Sequence, residues 1–191
     1  MITVIYFWRI RRIYLPLAIL NMATNKFLLK VMLGKSFIKM LGTGKGESFT
    51  PKDADSFRWG ILITTKESNI KKFDSSFVIK LWQKIARSQY RAVLRPISSH
   101  GVWSGKTPFE SEKFEWNGKV AAITRARIVW SKNLQFWRAV PPVTESLHKS
   151  AGLISAIGIG EAPIGLQGTF SLWENSQALK QFAYQGQAHL Q

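Results

Sequence analysis

The sequence contains no cysteine, and that absence excludes several kinds of chemistry. Without a thiol the chain can form no disulfide, can bind no iron–sulfur cluster or thiolate-ligated zinc, and has no cysteine nucleophile. Histidine is scarce as well, because the three imidazoles are far apart in the sequence, at His100, His148 and His189. No local ligand motif such as H-E-x-x-H exists, so a compact zinc site is not predicted.

Acidic residues are also few: 11 Asp and Glu stand against 27 Lys and Arg, and the formal charge at pH 7 is +16. Such an excess favours contact with a polyanion, either nucleic acid or an anionic membrane face. The alternative is that the charges lie on solvated faces that keep the protein soluble. An RNA-binding sheet would carry an RNP consensus, and only a weak version of it is present at residues 90–95. Nucleic acid is therefore the less favoured partner.

No apolar run is long enough to span a bilayer, which takes roughly 20 residues. Residues 13–20 follow three arginines and superficially resemble a signal peptide, but polar residues from Asn21 onward interrupt the run. Ahead of the arginines, residues 2–8 have the composition of a β-strand, which is not how a signal peptide begins. We therefore expect a cytoplasmic protein that is peripheral to the membrane.

Apolar residues make up 46% of the chain, which suffices for one domain or for two small halves that share a core. In the first half, strand-forming segments alternate with segments of helical spacing. The predicted elements are a strand over 1–8, a helix over 15–33 with Pro16 in its first turn and Gly34 at its end, a glycine-punctuated loop, a strand over 57–65, a mainly helical stretch over 68–87 and a strand over 90–97.

A segment rich in Gly, Ser, Pro and Glu, residues 98–118, is the predicted linker to a second series of elements. The second series consists of a strand over 120–129, a helix over 132–150 that Pro141 and Pro142 should break or kink, strands over 152–159 and 166–173, and a last helix from Ser176.

The two series resemble each other. The sequence Leu-Gly-Thr-Gly at 41–44 has a counterpart in Ile-Gly-Ile-Gly at 157–160, and TTKESNIKKF, ending at Phe73, is echoed by LWENSQALKQF, ending at Phe182. Such self-similarity indicates duplication. We therefore predict an α+β fold of two ferredoxin-like β-α-β-β units, with antiparallel sheets, helices on one face and the capacity to join into a barrel.

The predicted halves are residues 1–97 and 119–191, on either side of the linker. The second half lacks a closing strand, because the chain stops at Gln191 within the predicted last helix. That pattern indicates either a truncated unit or one that a partner subunit completes.

Gly42, Gly44 and Gly46 form a G-x-G-x-G stretch that could bring backbone amides close to a phosphate. It lacks the order of a P-loop, and it does not lead directly from a first strand into a helix as a dinucleotide site requires. Tight turns that enter a strand are the preferred interpretation. No G-x-S-x-G motif is present, so serine hydrolysis has no support.

Two histidines have surroundings that suggest a function. His100 lies near Trp103 in a glycine-rich loop, and it could be a ligand or an acid–base group or could simply hold the loop by a hydrogen bond. His189 follows Phe182 and Tyr184 on the predicted last helix, where aromatic residues could wall a flat apolar cofactor; an exposed helical histidine is the alternative. The eight Trp and twelve Phe suit an apolar cavity for a polyene or a porphyrin, although core packing explains any single one.

Successive blocks of the sequence resemble the spheroidene monooxygenase family of carotenoid-oxidising enzymes, and in order they cover nearly the whole chain. They are GTGKGESFTP at 42–51, SHGVWSG at 99–105, FWRAVPPV at 136–143, GIGEAPIG at 158–165, TFSLW at 169–173, and the closing FAY at 182–184 with His189. Members of the family continue beyond the position of His189 with a further helix and tail.

The resemblance implies a fold of the dimeric α+β barrel type and an oxygen-dependent carotenoid monooxygenase. Its members introduce a keto group near one end of an acyclic, spheroidene-like carotenoid, using molecular oxygen and haem. The sequence does not identify the electron donor, and it is compatible with a homodimer. The alternative is a non-catalytic basic binding module, for RNA or an anionic membrane surface, on the same scaffold; an incomplete chain would be inactive. A cofactor-free oxygenase is a third interpretation.

Roles for individual residues follow from the same resemblance. His189 is the first candidate for the axial ligand of the haem iron, and His100 is the second. The catalytic candidates are His100 and Arg138. The further cofactor-binding candidates are Arg125, Tyr184 and Trp173, and the guanidinium groups of Arg125 and Arg138 would pair with the haem propionates. The substrate-binding candidates are Trp103, Trp137 and Phe109. The positive charge would then serve docking at the membrane in which a carotenoid dissolves.

Overall fold

The computed structural model describes residues 1–47, 53–112, 114–127, 133–161 and 166–188. The chain divides into two units. The first unit consists of Met1–Leu41 and Ser56–Phe114, and the second consists of Gly42–Asp55 and Glu115–Gln191. The boundary after Phe114 falls within the predicted linker, whereas the transfer of Gly42–Asp55 to the second unit was not anticipated from the sequence.

The first unit has the element order of a ferredoxin-like fold. Its elements are β1 (Ile2–Ile10), α1 (Leu15–Leu33), β2 (Phe37–Gly44), β3 (Ala54–Thr65), α2 (Ile70–Asp74), α3 (Phe77–Ile85) and β4 (Ala86–Leu94), with 3-10 turns before α1 and α2. The strand order is β4-β1-β3-β2, and β1 pairs antiparallel with both β3 and β4. The last three residues of β2 and the first two of β3 belong to the second unit.

The core of the first unit is built on β1, whose side chains are buried along almost its whole length. The even-numbered side chains, such as Val4, Tyr6 and Trp8, join the main apolar cluster with residues of α1 and α3. Side chains alternate between the two faces of a strand, so the buried Ile5 and Phe7 lie on the opposite face. A strand that is apolar on both faces is typical of a central position in a sheet.

The two longer helices of the first unit have sequence signals at their ends, although the helical stretch predicted over 68–87 is divided into α2 and α3. α1 has Pro16 in its first turn and ends at Gly34, whose N–H donates to the carbonyl of Lys30 at 2.9 Å. α3 begins after Ser76, whose Oγ accepts a hydrogen bond from the N–H of Ile79 at 3.3 Å. The predicted bounds of α1 are those of the structure.

The second unit repeats the beginning of this order. Its elements are β5 (Val120–Arg127), α4 (Asn133–Lys149), β6 (Leu153–Gly160), β7 (Leu166–Trp173) and α5 (Ser176–Ala188), and its strand order is β2-β6-β7-β5. The pairs β2–β6, β6–β7 and β5–β7 are antiparallel. The α+β class and the two β-α-β-β units are therefore confirmed.

Several predicted elements differ from the structure, among them the strand predicted over 90–97, which is β4 (Ala86–Leu94). Residues 37–44 form strand β2 rather than a glycine-punctuated loop. Residues 86–87 belong to β4, because Ala86 adopts extended backbone angles directly after α3. α4 continues through Pro141 and Pro142, so of the predicted break or kink the break does not occur. Thr144 Oγ1 donates to the Val140 carbonyl in the same turn, at 3.1 Å.

The duplicated glycine motifs pair with each other. Gly42 lies opposite Gly160 and Thr43 lies opposite Ile159, in an antiparallel ladder between the end of β2 and the end of β6. Thr43 and Ile159 are also the equivalent positions of the two motifs in the sequence comparison. The internal repeat is therefore a structural feature of the second unit, where the two copies form neighbouring strands.

A polar cluster anchors the aromatic core of the first unit to its surface. The Tyr6 ring stacks on Trp8 with centroids 4.8 Å apart, and its hydroxyl donates to Asp74 Oδ1 at 2.9 Å. Asp74 Oδ2 also accepts from Arg91 Nη2 at 2.5 Å. Burial, followed by the hydrogen bond to Asp74 and its negative charge, raises the pKa of Tyr6 to about 12. The hydrogen bond to Asp74 likewise raises the pKa of Arg91.

This cluster makes the free energy of unfolding decrease as the pH rises through the alkaline range. The unfolded chain releases the Tyr6 proton near pH 10 and the folded chain near pH 12, so the stabilisation is complete below pH 10 and is lost as the pH rises through 12. The free-energy advantage of the wild type over Tyr6→Phe should shrink by about 2–3 kcal/mol across that window. Urea unfolding followed by circular dichroism at several pH values measures it. Tyr184→Phe, at a residue that is 70% exposed, is the control; an advantage that stays constant to pH 12 would contradict the prediction.

Candidate functional site

The loop after β4 contains a tight turn that positions Trp103. The N–H of Trp103 donates to the Lys106 carbonyl at 2.7 Å, and the N–H of Lys106 donates back to the Trp103 carbonyl at 3.2 Å. The two central residues, Ser104 and Gly105, have φ angles of 54° and 71°. Two successive positive φ angles are the mark of a type I′ turn, which suits glycine and strains most other residues.

Trp103 packs against two other aromatic side chains, and we call Phe37, Trp103 and Phe109 the aromatic triad. The Trp103 ring meets Phe37 edge to face with centroids 5.5 Å apart, and Phe109 at 6.0 Å. The Phe37 and Phe109 centroids are 6.5 Å apart. Trp103 is buried, whereas Phe37 and Phe109 are half-buried. The structure therefore brings together two of the three predicted substrate-binding residues, Trp103 and Phe109.

Lys39 is a buried cation beside the aromatic triad, and it was not among the predicted site residues. Its side chain is 4% exposed, and its Nζ donates to Ser104 Oγ at 2.6 Å. The same Nζ lies 5.3 Å from the Phe37 ring centroid and 5.7 Å from that of Trp103. A charge-assisted hydrogen bond and two aromatic faces offset the cost of removing the ammonium group from water. Lys39 thus holds the type I′ turn against β2.

Phe37 and Lys39 are neighbours because strand geometry places alternate residues on one face. The Phe-x-Lys spacing in the sequence indicates that the two side chains share a face only if residues 37–44 form a strand. That strand was not predicted.

His100 lies in the same loop and is exposed. Its Nε2 is 3.1 Å from Ser98 Oγ, two residues earlier. The structure therefore places this predicted catalytic residue at the loop surface, in contact with its own segment.

In the second unit the predicted cofactor-binding residue Arg125 forms an ion pair with Glu161. The Nη2 to Oε1 distance is 3.1 Å, and the two side chains are 21% and 15% exposed. Gly168 stands opposite Arg125 on β7, and a Cβ there would lie 3.3 Å from Arg125 Cγ and 2.4 Å from the Thr124 carbonyl oxygen. The bare glycine leaves room for the Arg125 side chain. Any propionate bound at Arg125 would share it with Glu161.

Of the other residues predicted to bind cofactor or substrate in the second unit, the structure describes the side chains of Trp173 and Tyr184. Trp173 is fully buried, its Nε1 donates to Ser171 Oγ at 2.9 Å, and its ring lies 5.3 Å from that of Phe182. Tyr184, on the same helix as Phe182, is 70% exposed. Trp137 and Arg138 lie in the first turns of α4, where the side chains are outside the described part of the structure, and His189 lies outside the described residues altogether.

The residues that follow β2 donate two backbone hydrogen bonds to a buried carboxylate. Asp53 is buried, and its Oδ2 accepts from the N–H groups of Gly46 and Glu47 at 2.9 and 3.0 Å. His148 Nε2 donates to the Gly46 carbonyl at 2.6 Å. The amides of Gly46 and Glu47 are therefore bound to Asp53. Gly42 and Gly44 lie within β2 and not in the predicted tight turns.

Neither His100 nor His148 is placed as an axial ligand of haem. An axial imidazole needs an uncommitted nitrogen that faces a cavity of porphyrin size, and ligand cavities of that kind measure roughly 300–1,000 Å³. His100 is exposed and His148 donates to a carbonyl. A cavity of about 130 Å³ is lined by polar residues that include Glu67, Arg95 and Glu110, and no histidine borders it. Within the described ranges no three His, Asp or Glu side chains lie close enough together to hold a metal ion.

The clamp formed by Lys39 can be tested by local hydrogen exchange. Lys39→Met keeps much of the side-chain volume but removes the hydrogen bond to Ser104 and the cation over the rings. We expect the amides of Trp103 and Lys106 to exchange about tenfold faster in the variant, since a hydrogen bond from a charged donor contributes about 1.5–3 kcal/mol. Mass spectrometry of peptides covering 98–109 measures the rate. Lys35→Met, at an exposed lysine before β2, is the matched control; equal rates in both variants would show that Lys39 does not hold the turn.

No family model matches the sequence. Three curated proteins named spheroidene monooxygenase are similar to it. The protein from Cereibacter sphaeroides is 33% identical over 166 residues, which cover 85% of this chain and 51% of the relative. Those from Rhodobacter capsulatus and Rubrivivax gelatinosus are 34% and 32% identical, over 77% and 80% of this chain and 63% and 60% of the relatives. The chain thus spans between half and two thirds of the length of these relatives.

Solved structures were compared as well. A candidate monooxygenase from Lactobacillus acidophilus is 12% identical, with 95% of this chain and 80% of that chain covered at a TM-score of 0.39. A chlorite dismutase mutant from Candidatus Nitrospira defluvii is 10% identical, with 96% and 81% covered at a TM-score of 0.33. These scores are too low to support an inference about function.

Because the similarity covers 85% of the chain, it extends over both units. Identities of 32–34% were found with three separate proteins of one name. Over its aligned residues the chain belongs to the spheroidene monooxygenase family.

Proposed function

We propose that this chain takes part in the oxygen-dependent oxidation of an acyclic, spheroidene-like carotenoid, in which a methylene group becomes a keto group. The observation that carries the proposal is the identity of 32–34% with three spheroidene monooxygenases over 77–85% of the chain. The activity of those proteins belongs to chains of greater length, so its transfer to this chain is a proposal.

The chemistry defines what the chain would need from its partners. Each turnover would insert one atom of dioxygen into a C–H bond and reduce the other to water, with two electrons and two protons from a donor. Two turnovers on one methylene carbon would give a geminal diol, which becomes the ketone by loss of water. Side chains of the ordinary kinds do not activate dioxygen readily, and haem would supply that redox chemistry when bound.

The aromatic triad is the part of the described structure that best suits a polyene. Flat rings arranged edge to face offer an apolar surface to a conjugated hydrocarbon. Trp103 is 4% exposed, so the half-buried Phe37 and Phe109 are the members with surface left to contact a ligand. Val102, beside Trp103, is 67% exposed and would extend that surface. Lys39 would act on the substrate indirectly, by fixing the Trp103 ring.

The activity can be tested in a host that accumulates an acyclic carotenoid. Cells that also express this chain should form a carotenoid with one oxygen more and two hydrogens fewer, and growth under ¹⁸O₂ should label the keto oxygen. Phe109→Ser should lower conversion about tenfold. Losing the apolar contact between the substrate and one aromatic ring should weaken binding by about 1.4 kcal/mol, which is a factor of about ten in affinity. Chromatography with mass spectrometry measures the product.

Phe77→Ser is the matched control, because Phe77 is 72% exposed on α3 and lies outside the aromatic triad. A wild-type chain that is present as folded protein but forms no keto product would contradict the proposed function. Equal losses of conversion in Phe109→Ser and Phe77→Ser would show that the aromatic triad is not part of the substrate site.

Haem assistance depends in this chain on His189, since the described histidines are unsuited to it. We propose that added haem produces a Soret band with the wild type, with His100→Ala and with His148→Ala, and that the band is lost in His189→Ala. Absorption spectra of the four purified proteins measure this directly. An oxygen-dependent keto product from colourless protein would contradict it and would indicate a cofactor-free oxygenase.

A further inference from the structure

Helix α1 buries two asparagines and exposes five large apolar side chains. Asn21 and Asn25 are 4% and 2% exposed, and they face the core together with Ala18 and Leu29. The Nδ2 atoms of both asparagines have no hydrogen-bond partner among the described residues. An amphipathic helix of a globular protein normally turns its large apolar side chains toward the core and its amides toward solvent.

The opposite side of α1 is an apolar surface, which we call the outer face. It consists of Ile19 (56% exposed), Leu20 (58%), Phe27 (69%), Leu28 (45%) and Val31 (71%), and Ile13 (79%) precedes it in the adjoining 3-10 turn. Leu20, Phe27 and Val31 recur at spacings of seven and four residues, so they lie along one line of the helix. Large apolar side chains exposed as one contiguous patch mark an interaction site more often than isolated ones do.

The surroundings of the outer face are basic. Between Met1 and Gly46 the sequence has no Asp or Glu, and it has eight basic residues: Arg9, Arg11, Arg12, Lys26, Lys30, Lys35, Lys39 and Lys45. Lys26 and Lys30 are exposed one turn apart at the edge of the outer face, and Arg11 and Arg12 are exposed just before the helix. Lys72 adds a further cation beside the helix, because its Nζ donates to the Met32 carbonyl at 2.9 Å.

These features select one kind of occupant. Two copies of the outer face would bring their cations together with no carboxylate to pair them, and nucleic acid would meet the charges but leave the apolar side chains in water. None of the helices in the described ranges is long and apolar enough to cross a membrane. An apolar stripe with a basic rim matches an interface of anionic headgroups above acyl chains.

We infer that α1 docks the chain on an anionic lipid surface and lies in the plane of that surface. The 19 residues of α1 would extend about 28 Å along it. Phe27 and Val31 enter the boundary between headgroups and acyl chains, and Lys26 and Lys30 meet lipid phosphates. The inference does not depend on the proposed oxidation, and its experiment requires no substrate.

α3 provides matched controls for both parts of the outer face. Phe77 is 72% exposed, as Phe27 is 69% exposed, and Lys80 and Lys84 form an exposed pair one turn apart, as Lys26 and Lys30 do. Sedimentation with phosphatidylcholine vesicles, with and without phosphatidylglycerol, measures binding. We expect binding only to the anionic vesicles, about tenfold weaker in Phe27→Glu and in Lys26→Gln/Lys30→Gln, and unchanged in Phe77→Glu and Lys80→Gln/Lys84→Gln.

A second measurement uses the absence of cysteine from the sequence. Phe27→Cys and Phe77→Cys can each be labelled with an environment-sensitive fluorophore without background labelling. The label at position 27 should shift to shorter wavelength with anionic vesicles, and the label at position 77 should not. Equal shifts, equal losses in the α1 and α3 variants, or no binding to anionic vesicles would overturn the inference. A dimer that Phe27→Glu dissociates, without lipid binding, would assign the outer face to a second copy.

Discussion

Strand β1 is buried on both faces, and the first unit depends on that burial. Hydrogen bonds to β3 and β4 satisfy its backbone, while Tyr6 and Trp8 stack in sequence with Trp82 of α3 at centroid distances of 4.8 and 5.3 Å. Fully buried aromatic rings contribute several kcal/mol each, more than the about 1–3 kcal/mol that a buried indole N–H without a partner costs. The stack can therefore retain Trp8 and Trp82, whose Nε1 atoms have no partner among the described residues.

The position of β2 follows from this central strand and determines the aromatic triad. β3 pairs with β1 on one side and neighbours β2 on the other, so β2 presents Phe37 and Lys39 at a fixed place. The loop after β4 then brings Trp103 and Ser104 to them from more than 60 residues away. Lys39 links the two segments, because a buried ammonium requires an acceptor and ring faces that only the distant turn supplies.

Local signals in the sequence were enough for α1 and β7 but not for β2. Pro16 and Gly34 determine the ends of α1 by their own backbone chemistry, and residues 166–173 have the composition of a strand. Residues 37–44 contain a lysine and two glycines, which local propensity disfavours in a strand. Lys39 is stable there because of Trp103 and Ser104, a contact that no local pattern encodes. Trp103 and Phe109 were predicted as substrate residues, whereas Phe37 and Lys39 were missed for this reason.

The motifs that connect this chain with its family have structural explanations where the structure describes them. Gly42 and Gly160 pair directly, and a Cβ on Gly46 would lie 2.4 Å from the Ala156 carbonyl oxygen, so these glycines permit close approach of neighbouring strands. The Ser-Gly at 104–105 forms the turn that Lys39 holds. A motif of this kind identifies the scaffold without locating the reaction. The residues that would carry the proposed oxidation must therefore be found by the behaviour of variants at the aromatic triad and at His189.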